Sequence, residues 1–230
     1  MSILKVARMG HPVLRQRARV VDKHEIRTPE FQKLIDDMIE TMEEYSGIGL
    51  AAPQVHETLR LFVAVLDPEG RGEGDPTAII NPEITPLAGD LVEGWEGCLS
   101  IPEIRGRVPR SPHIRVSALS REGKRIEIEA RDFPARVIQH ETDHLDGILF
   151  FDRMRAFDSL TYRRNTPATT PGAGGRRRVG LEAGRSPPPA DGAARVKGPH
   201  SREPATPAES NGAPALCLLP SAFCLLPFAF

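Results

Sequence analysis

His140 and His144 stand four residues apart in His140-Glu141-Thr142-Asp143-His144, with an acid beside the first histidine. On a helix, residues at that spacing lie one above the other on one face, so both imidazoles reach one divalent cation and Glu141 points toward a water on it. This is the equipment of metal-assisted hydrolysis. The same residues also fit a partly buried helix whose histidines hydrogen-bond to backbone or to Asp143 and Asp146, so the pattern needs a third ligand. The extended protease pattern would put a histidine at residue 150; Gly147 fits its glycine, but Phe150 stands at the ligand position, which argues against a metzincin protease. Cys98 offers a thiolate that suits a borderline-soft ion, although a lone cysteine is otherwise a small buried hydrophobe.

A third segment, Gly47-Ile48-Gly49-Leu50-Ala51-Ala52-Pro53-Gln54-Val55, combines small residues that permit close backbone approach with a stiffening proline. Gln54 adds a neutral amide donor and acceptor. The run lacks the spacings of a phosphate loop and follows a helix rather than a strand. It also fits a plain helix-to-strand crossover.

The elements that must position these residues are legible. Thr28-Pro29-Glu30 is a helix start, with a capping hydroxyl, proline at the first helical position and an acid in the first turn. Phe31, Leu34, Ile35, Met38, Ile39, Met42 and Tyr45 follow on one stripe as core packing, with Asp36, Asp37, Glu40, Glu43 and Glu44 on the other faces and Gly47 as the stop. Strands are expected at 59–66, 77–80, 113–119 and 124–130, the last two as a hairpin across Ser120-Arg121-Glu122-Gly123 that buries Ile114, Val116, Ala118, Ile126 and Ile128. A second helix starts near Asp132-Phe133-Pro134, carries the histidines and runs to about Gly147. Helix, strands, then helix predicts an α+β fold: antiparallel sheets packed around the HExxH helix, with an N-terminal amphipathic helix.

Composition divides the chain. Pro and Gly make up 23 of residues 1–164 but 19 of the last 66, and the latter share is that of low-complexity sequence. The expected organisation is one domain, 1–164, and a Pro/Gly/Ala-rich disordered tail, 165–230. The first part carries 23 basic and 27 acidic residues, no footprint for DNA or other sequence-independent nucleic-acid binding. The other cysteines, Cys217 and Cys224, belong to a short tail repeat, too little for a disulfide framework. The N-terminus lacks the apolar run of a signal peptide, and Leu216–Phe230 is broken by Pro220 and Pro227, so a cytoplasmic protein without a membrane segment is expected.

Taken together, GIGLAAPQ (47–54), EGCLS (96–100) and QHETDH (139–144) resemble the signature motifs of the peptide deformylases, the metal hydrolases that remove the N-formyl group from new bacterial and organellar proteins. The resemblance runs from Ile3-Leu4-Lys5 to about Arg155. It implies that Cys98, His140 and His144 bind one divalent ion, generally Fe²⁺ with Zn²⁺, Ni²⁺ or Co²⁺ as alternatives. A metal-activated water would attack the formyl carbon of an N-formylmethionyl peptide and release formate. Glu141 would serve as general base and then general acid, with Gln54 and the Leu99 N–H stabilising the oxyanion. Ile48, Phe133 and Val137 align with the methionine pocket, although Phe133 and Val137 also suit plain core packing; Gly49, Gly97 and Arg105 align with positions near the peptide backbone.

Two departures touch access rather than chemistry: His56 stands where a glycine is common, and Trp95 takes a variable mouth-lining position. A transient ribosome contact is a further implied partnership, but the C-terminal helix of some members has no counterpart after Arg163-Arg164, and Arg176-Arg177-Arg178 reads as a solvated run. A zinc endopeptidase using the same HExxH would reveal itself by internal peptide cleavage without formate. A non-catalytic binding protein of this fold would have no need of Glu141, Cys98 and Gln54 together.

Overall fold

Thr28 caps the N-terminus of a long helix through its hydroxyl, which accepts from the Phe31 N–H, and Pro29 opens the first turn. The computed structural model describes residues 2–67 and 74–166. The segment 165–230, with the Arg176 run and the Cys217/Cys224 repeat, therefore lies outside the described residues from 167 onward. In chain order the described elements are α1 (Lys23–Ile26), α2 (Pro29–Glu44), β1 (Gly49–Ala51), β2 (Leu61–Ala64), β3 (Thr77–Pro86), β4 (Val92–Cys98), β5 (Ile101–Arg110), β6 (His113–Leu119), β7 (Arg125–Arg131), α3 (Asp132–Leu145), α4 (Phe150–Arg153) and β8 (Thr161–Tyr162).

Two antiparallel sheets form, β1-β2-β3-β6-β7 and β4-β5-β8. Phe31, Ile35, Met38 and Met42 of α2 enter one core with Leu50, Phe62, Ile79 and Val116 of the larger sheet and Val137, Ile138 and Leu145 of α3. A second cluster, including Leu14, Ile101, Val108, Leu149 and Phe150, underlies the smaller sheet. The β6–β7 pairs Val116↔Ile128 and Ala118↔Ile126 put the apolar residues of that hairpin on one side. None of the helices among the described residues is long and apolar enough to cross a membrane.

Several local expectations need correction. The strand expected at 59–66 is confined to Leu61–Ala64, with Leu59 instead bridging Arg19. The strand expected at 77–80 continues to Pro86 through an irregularity in its pairing with β6. Asn81 makes that irregularity possible: its backbone is left-handed at φ 51, and its side-chain amide both accepts from the Val21 N–H and donates to the Val21 carbonyl. Asp37 does not face solvent, because the N-terminal segment crosses it. Its carboxylate accepts the Ser2 N–H at 2.8 Å, while Thr41 accepts the Leu4 N–H at 2.8 Å. The hairpin β4–β5 was not anticipated at all, and it carries Cys98.

The end of α3 shows how tightly the histidine helix is docked. Gly147 has φ 72, its N–H bonds to the His144 carbonyl, and a Cβ there would lie 2.7 Å from the Arg15 carbonyl oxygen. Only glycine meets both conditions without strain. Gly147→Ala is therefore expected to destabilise the fold by about 1–2 kcal/mol or more in urea titration. Gly89→Ala, where an added Cβ meets nothing within 4 Å, should change stability by less than about 0.5 kcal/mol. Equal effects at the two positions would contradict this packing.

Candidate metal centre and cleft

Cys98 is the last residue of β4, and the pairing Cys98↔Ile101 leaves Leu99 and Ser100 as a tight turn. That turn brings the sulfur against α3. His140 and His144 sit on one face of the helix with ring centroids 5.0 Å apart. One donor atom from each of Cys98, His140 and His144 lies within 4.8 Å of the others, and Cys98 Sγ is 3.3 Å from His144 Nε2. A sulfur and two ring nitrogens converging from two elements are a donor set suited to a borderline-soft divalent ion.

Each ring is prepared differently. His140 Nδ1 lies 2.9 Å from a Glu96 carboxylate oxygen. A carboxylate can only accept there, so Nδ1 carries the proton and Nε2 is left to face the cluster. Burial opposes charge on His140, but Cys98 and Glu96 outweigh it and hold the imidazole well above the usual histidine range. Burial and the nearby His140 push His144 well below that range, favouring its neutral, ligating form. Among the described residues His144 Nδ1 has no hydrogen-bond partner.

Glu96 was quoted in the sequence only as part of a motif, yet it anchors the site. Fully buried, it receives two bonds from Arg110, at 2.9 and 3.0 Å, and one from Arg136 at 2.8 Å, besides the His140 contact. Burial alone would raise its carboxyl; His140 and Arg110 instead hold it far below the ordinary carboxylate range. Arg110 continues to Asp143, which also pairs with Arg153. Arg136 reaches across β4 and β5 to donate to the Val92 and Val108 carbonyls. The hairpin bearing Cys98 is thus tied to the helix bearing both histidines by charge as well as by apolar packing. No periodicity marks Arg110, Arg136 or Asp143 in the sequence.

Gln54 lies in a 3₁₀ turn, Ala52–Val55, directly after β1. Its Oε1 accepts the Ala51 N–H at 2.8 Å, which turns Nε2 toward Ser100 Oγ at 3.2 Å and Cys98 Sγ at 3.4 Å. Glu141 is buried beside this run. A Cβ on Gly49 would lie 2.3 Å from Glu141 Oε1, so only glycine leaves room for the carboxyl. Burial pushes the Glu141 carboxyl up to about 7, and its Oε2 has no partner among the described residues. Leu99 is buried in the turn, and its carbonyl accepts from Arg8 at 2.7 Å.

The expected pocket residues separate. Gly97 and Arg105 line a cavity with Cys98 and Leu99. Ile48 and Val137 are 4% and 0% exposed within the main core, and Phe133 packs partly buried against it. Gly49 serves as the floor beneath Glu141. His56 caps the 3₁₀ turn with φ 70 and stacks edge-on against His11. Trp95 lies half-buried on β4, paired with Arg107.

Replacing Glu96 by Gln keeps the shape but leaves Arg110 and Arg136 buried without their anion. We expect a loss of about 3–5 kcal/mol in urea unfolding and a 10- to 100-fold weaker hold on Zn²⁺ in chelator competition. A variant as stable and as retentive as the wild type would contradict the role assigned to this carboxylate.

The family model described as polypeptide deformylase matches residues 3–159. Peptide deformylase 2 of Nostoc sp. is 45% identical over 159 residues, covering 67% of this chain and 88% of the relative. Peptide deformylase of Salinibacter ruber is 45% identical over 170 residues, covering 70% and 86%. Among solved structures, a class I type b peptide deformylase from Acinetobacter baumannii bound to Met-Ala-Ser superposes with TM-score 0.63 at 38% identity, covering 67% of this chain and all of that one. The Thermotoga maritima peptide deformylase gives TM-score 0.62 at 41% identity, covering 68% and 100%. With the sulfur and both histidines converging and a family match spanning most of its length, this chain belongs to the polypeptide deformylase family, enzymes that remove the N-formyl group from nascent peptides.

Proposed function

We propose that Cys98, His140 and His144 hold one divalent ion, Fe²⁺ in the cell with Zn²⁺, Ni²⁺ or Co²⁺ as alternatives, and that the chain hydrolyses the formyl amide of N-formylmethionyl peptides there. The observation that carries the reading is the convergence of these three donors beside the buried Glu141 carboxyl, whose Oε2 has no partner among the described residues. When bound, such an ion supplies Lewis acidity, which lowers the pKa of water and polarises a carbonyl.

The chain's own residues supply the rest. Glu96 keeps His140 in the tautomer whose Nε2 faces the cluster. Glu141, with one oxygen against Gly49 and the other unpartnered, takes a proton from the attacking water and returns it to the departing methionine nitrogen. Gln54 Nε2, aimed by the Ala51 N–H, and the Leu99 N–H donate to the oxygen that gains charge as the formyl carbon becomes tetrahedral. A neutral amide suits that place, since a carboxylate would repel the developing anion. Phe133, half-buried at the edge of the core, offers apolar surface for the methionine side chain with Ile48 and Val137 packed behind it, and Gly49, Gly97 and Arg105 flank the peptide backbone.

We further propose that residues 1–164 carry the whole activity, that 165–230 contribute none of it, and that the enzyme works in the cytoplasm, meeting nascent chains in transient contact with the ribosome. The family alignment ending at residue 159 supports the first of these.

Iron-loaded protein, assayed without oxygen, should release formate from formyl-Met-Ala-Ser, and Glu141→Ala should lower kcat by about 10²- to 10⁴-fold. No formate from the wild type, or an equally fast variant, would overturn the mechanism. In air, the iron form should lose activity faster than a Ni²⁺-loaded form, because Fe²⁺ and a thiolate are both oxidisable. Equal lifetimes with iron content confirmed would contradict that.

A further inference from the structure

His56 takes a left-handed backbone, φ 70, at the end of the 3₁₀ turn Ala52–Val55. Glycine adopts that conformation freely and a side chain disfavours it. The chemistry proposed for Glu141 and Gln54 makes no use of the imidazole presented there. That ring meets a second one from a different segment. His11 precedes the 3₁₀ turn Pro12–Arg15, and the two ring centroids lie 4.7 Å apart with their planes crossing at 85°. His140 and His144, the two imidazoles of the Cys98 cluster, stand almost the same way, 5.0 Å apart at 81°.

Backbone hydrogen bonds fix both ends of the pair. The His56 N–H donates to the Pro53 carbonyl at 3.2 Å, and the His11 N–H to the Arg8 carbonyl at 3.0 Å. The N-terminal segment is laid along the Gln54 turn, with the Ala7 N–H donating to the Gln54 carbonyl at 2.7 Å and the Met9 N–H to the Ser100 carbonyl at 2.8 Å. Two imidazoles already held close by separate turns lose little freedom on taking a shared ion. Both residues are exposed, so a hydrated ion reaches them. His11 Nδ1 accepts the Val13 N–H at 3.3 Å. Whichever ring nitrogen takes an ion, Nδ1 loses its free lone pair, so binding gives up that bond, which is a long one.

We propose that His11 and His56 form a second metal site, separate from the Cys98 cluster, for a borderline divalent ion such as Zn²⁺, Ni²⁺ or Cu²⁺. Imidazole nitrogen suits these ions, whereas Mg²⁺ and Ca²⁺ take oxygen. With two protein donors in place of three, and water completing the shell, the site fills only after the cluster. An ion there staples the N-terminal segment to the turn that aims Gln54 and braces it. Both donors lie outside the three motifs, so the site is independent of the deformylase reading.

The test follows the imidazole NMR signals of the full chain, loaded with one equivalent of Zn²⁺, as further Zn²⁺ is added. His11 and His56 should shift together with one midpoint, which His24 and His113 should not share, and Mg²⁺ at the same concentrations should move neither ring of the pair. In His56→Gly, which suits φ 70, the midpoint of the His11 signal should rise at least about tenfold. His11→Asn keeps a capping acceptor before Pro12, and there the His56 signal should do the same. Separate midpoints for the two rings in the wild type, or an unchanged midpoint for the remaining ring in either variant, would overturn the shared site. Filling should also slow hydrogen exchange at the Ala7 amide in the wild type and in neither variant; no slowing in the wild type would overturn the brace. Formate release enters none of these measurements, so their failure leaves the deformylase reading intact.

Discussion

A single carboxylate buried where α3 meets the β4–β5 hairpin is the constraint on which the site depends. Glu96 is 0% exposed and engages two arginines and a histidine at once. An unpaired charge at such depth would cost several kcal/mol, so each partner removed leaves the others unstable in place. The contacts it makes are the ones that bring Cys98, on the hairpin, to His140 and His144, on the helix. Apolar packing alone would hold helix to sheet without setting their rotation. The bidentate Arg110 contact and the His140 bond do set it, because both require fixed directions.

Around this clamp the remaining elements act as supports at successive distances. Arg110 passes the constraint on to Asp143 and from there to Arg153, the last residue of the short helix α4. Gln54 joins the β1 segment to the Cys98 turn through Ser100 and the sulfur. Gly49 admits Glu141, and Gly147 lets the far end of α3 press on the Arg15 backbone. The site is thus assembled from three segments of the chain, 49–54, 96–100 and α3.

What could be read from the sequence follows the physics of each element. The capped, amphipathic α2 announces itself because Thr28, Pro29 and the Phe31–Met42 stripe act locally. The β6–β7 hairpin is legible because its apolar residues alternate. The β4–β5 hairpin is not, since Glu93, Glu96, Arg105, Arg107 and Arg110 alternate with glycine and proline, and its burial rests on ion pairs that only the fold creates. Asp37 misled for the same reason: a carboxylate on the outer face of an amphipathic helix normally meets water, and here it meets the Ser2 N–H. Of the candidate site, the donor set and its companions Glu141 and Gln54 were visible as residue types in short motifs. The clamp was not, because ordinary charges gain meaning only from tertiary neighbours.

The central claim is that one sulfur and two imidazoles bind a single ion in this cluster. X-ray absorption at the metal edge of Zn²⁺-loaded protein measures that directly. The account predicts one sulfur near about 2.3 Å and two imidazole nitrogens near about 2.0–2.1 Å, with the remaining position filled by oxygen. A first shell without sulfur, or one with no imidazole scattering, would contradict it.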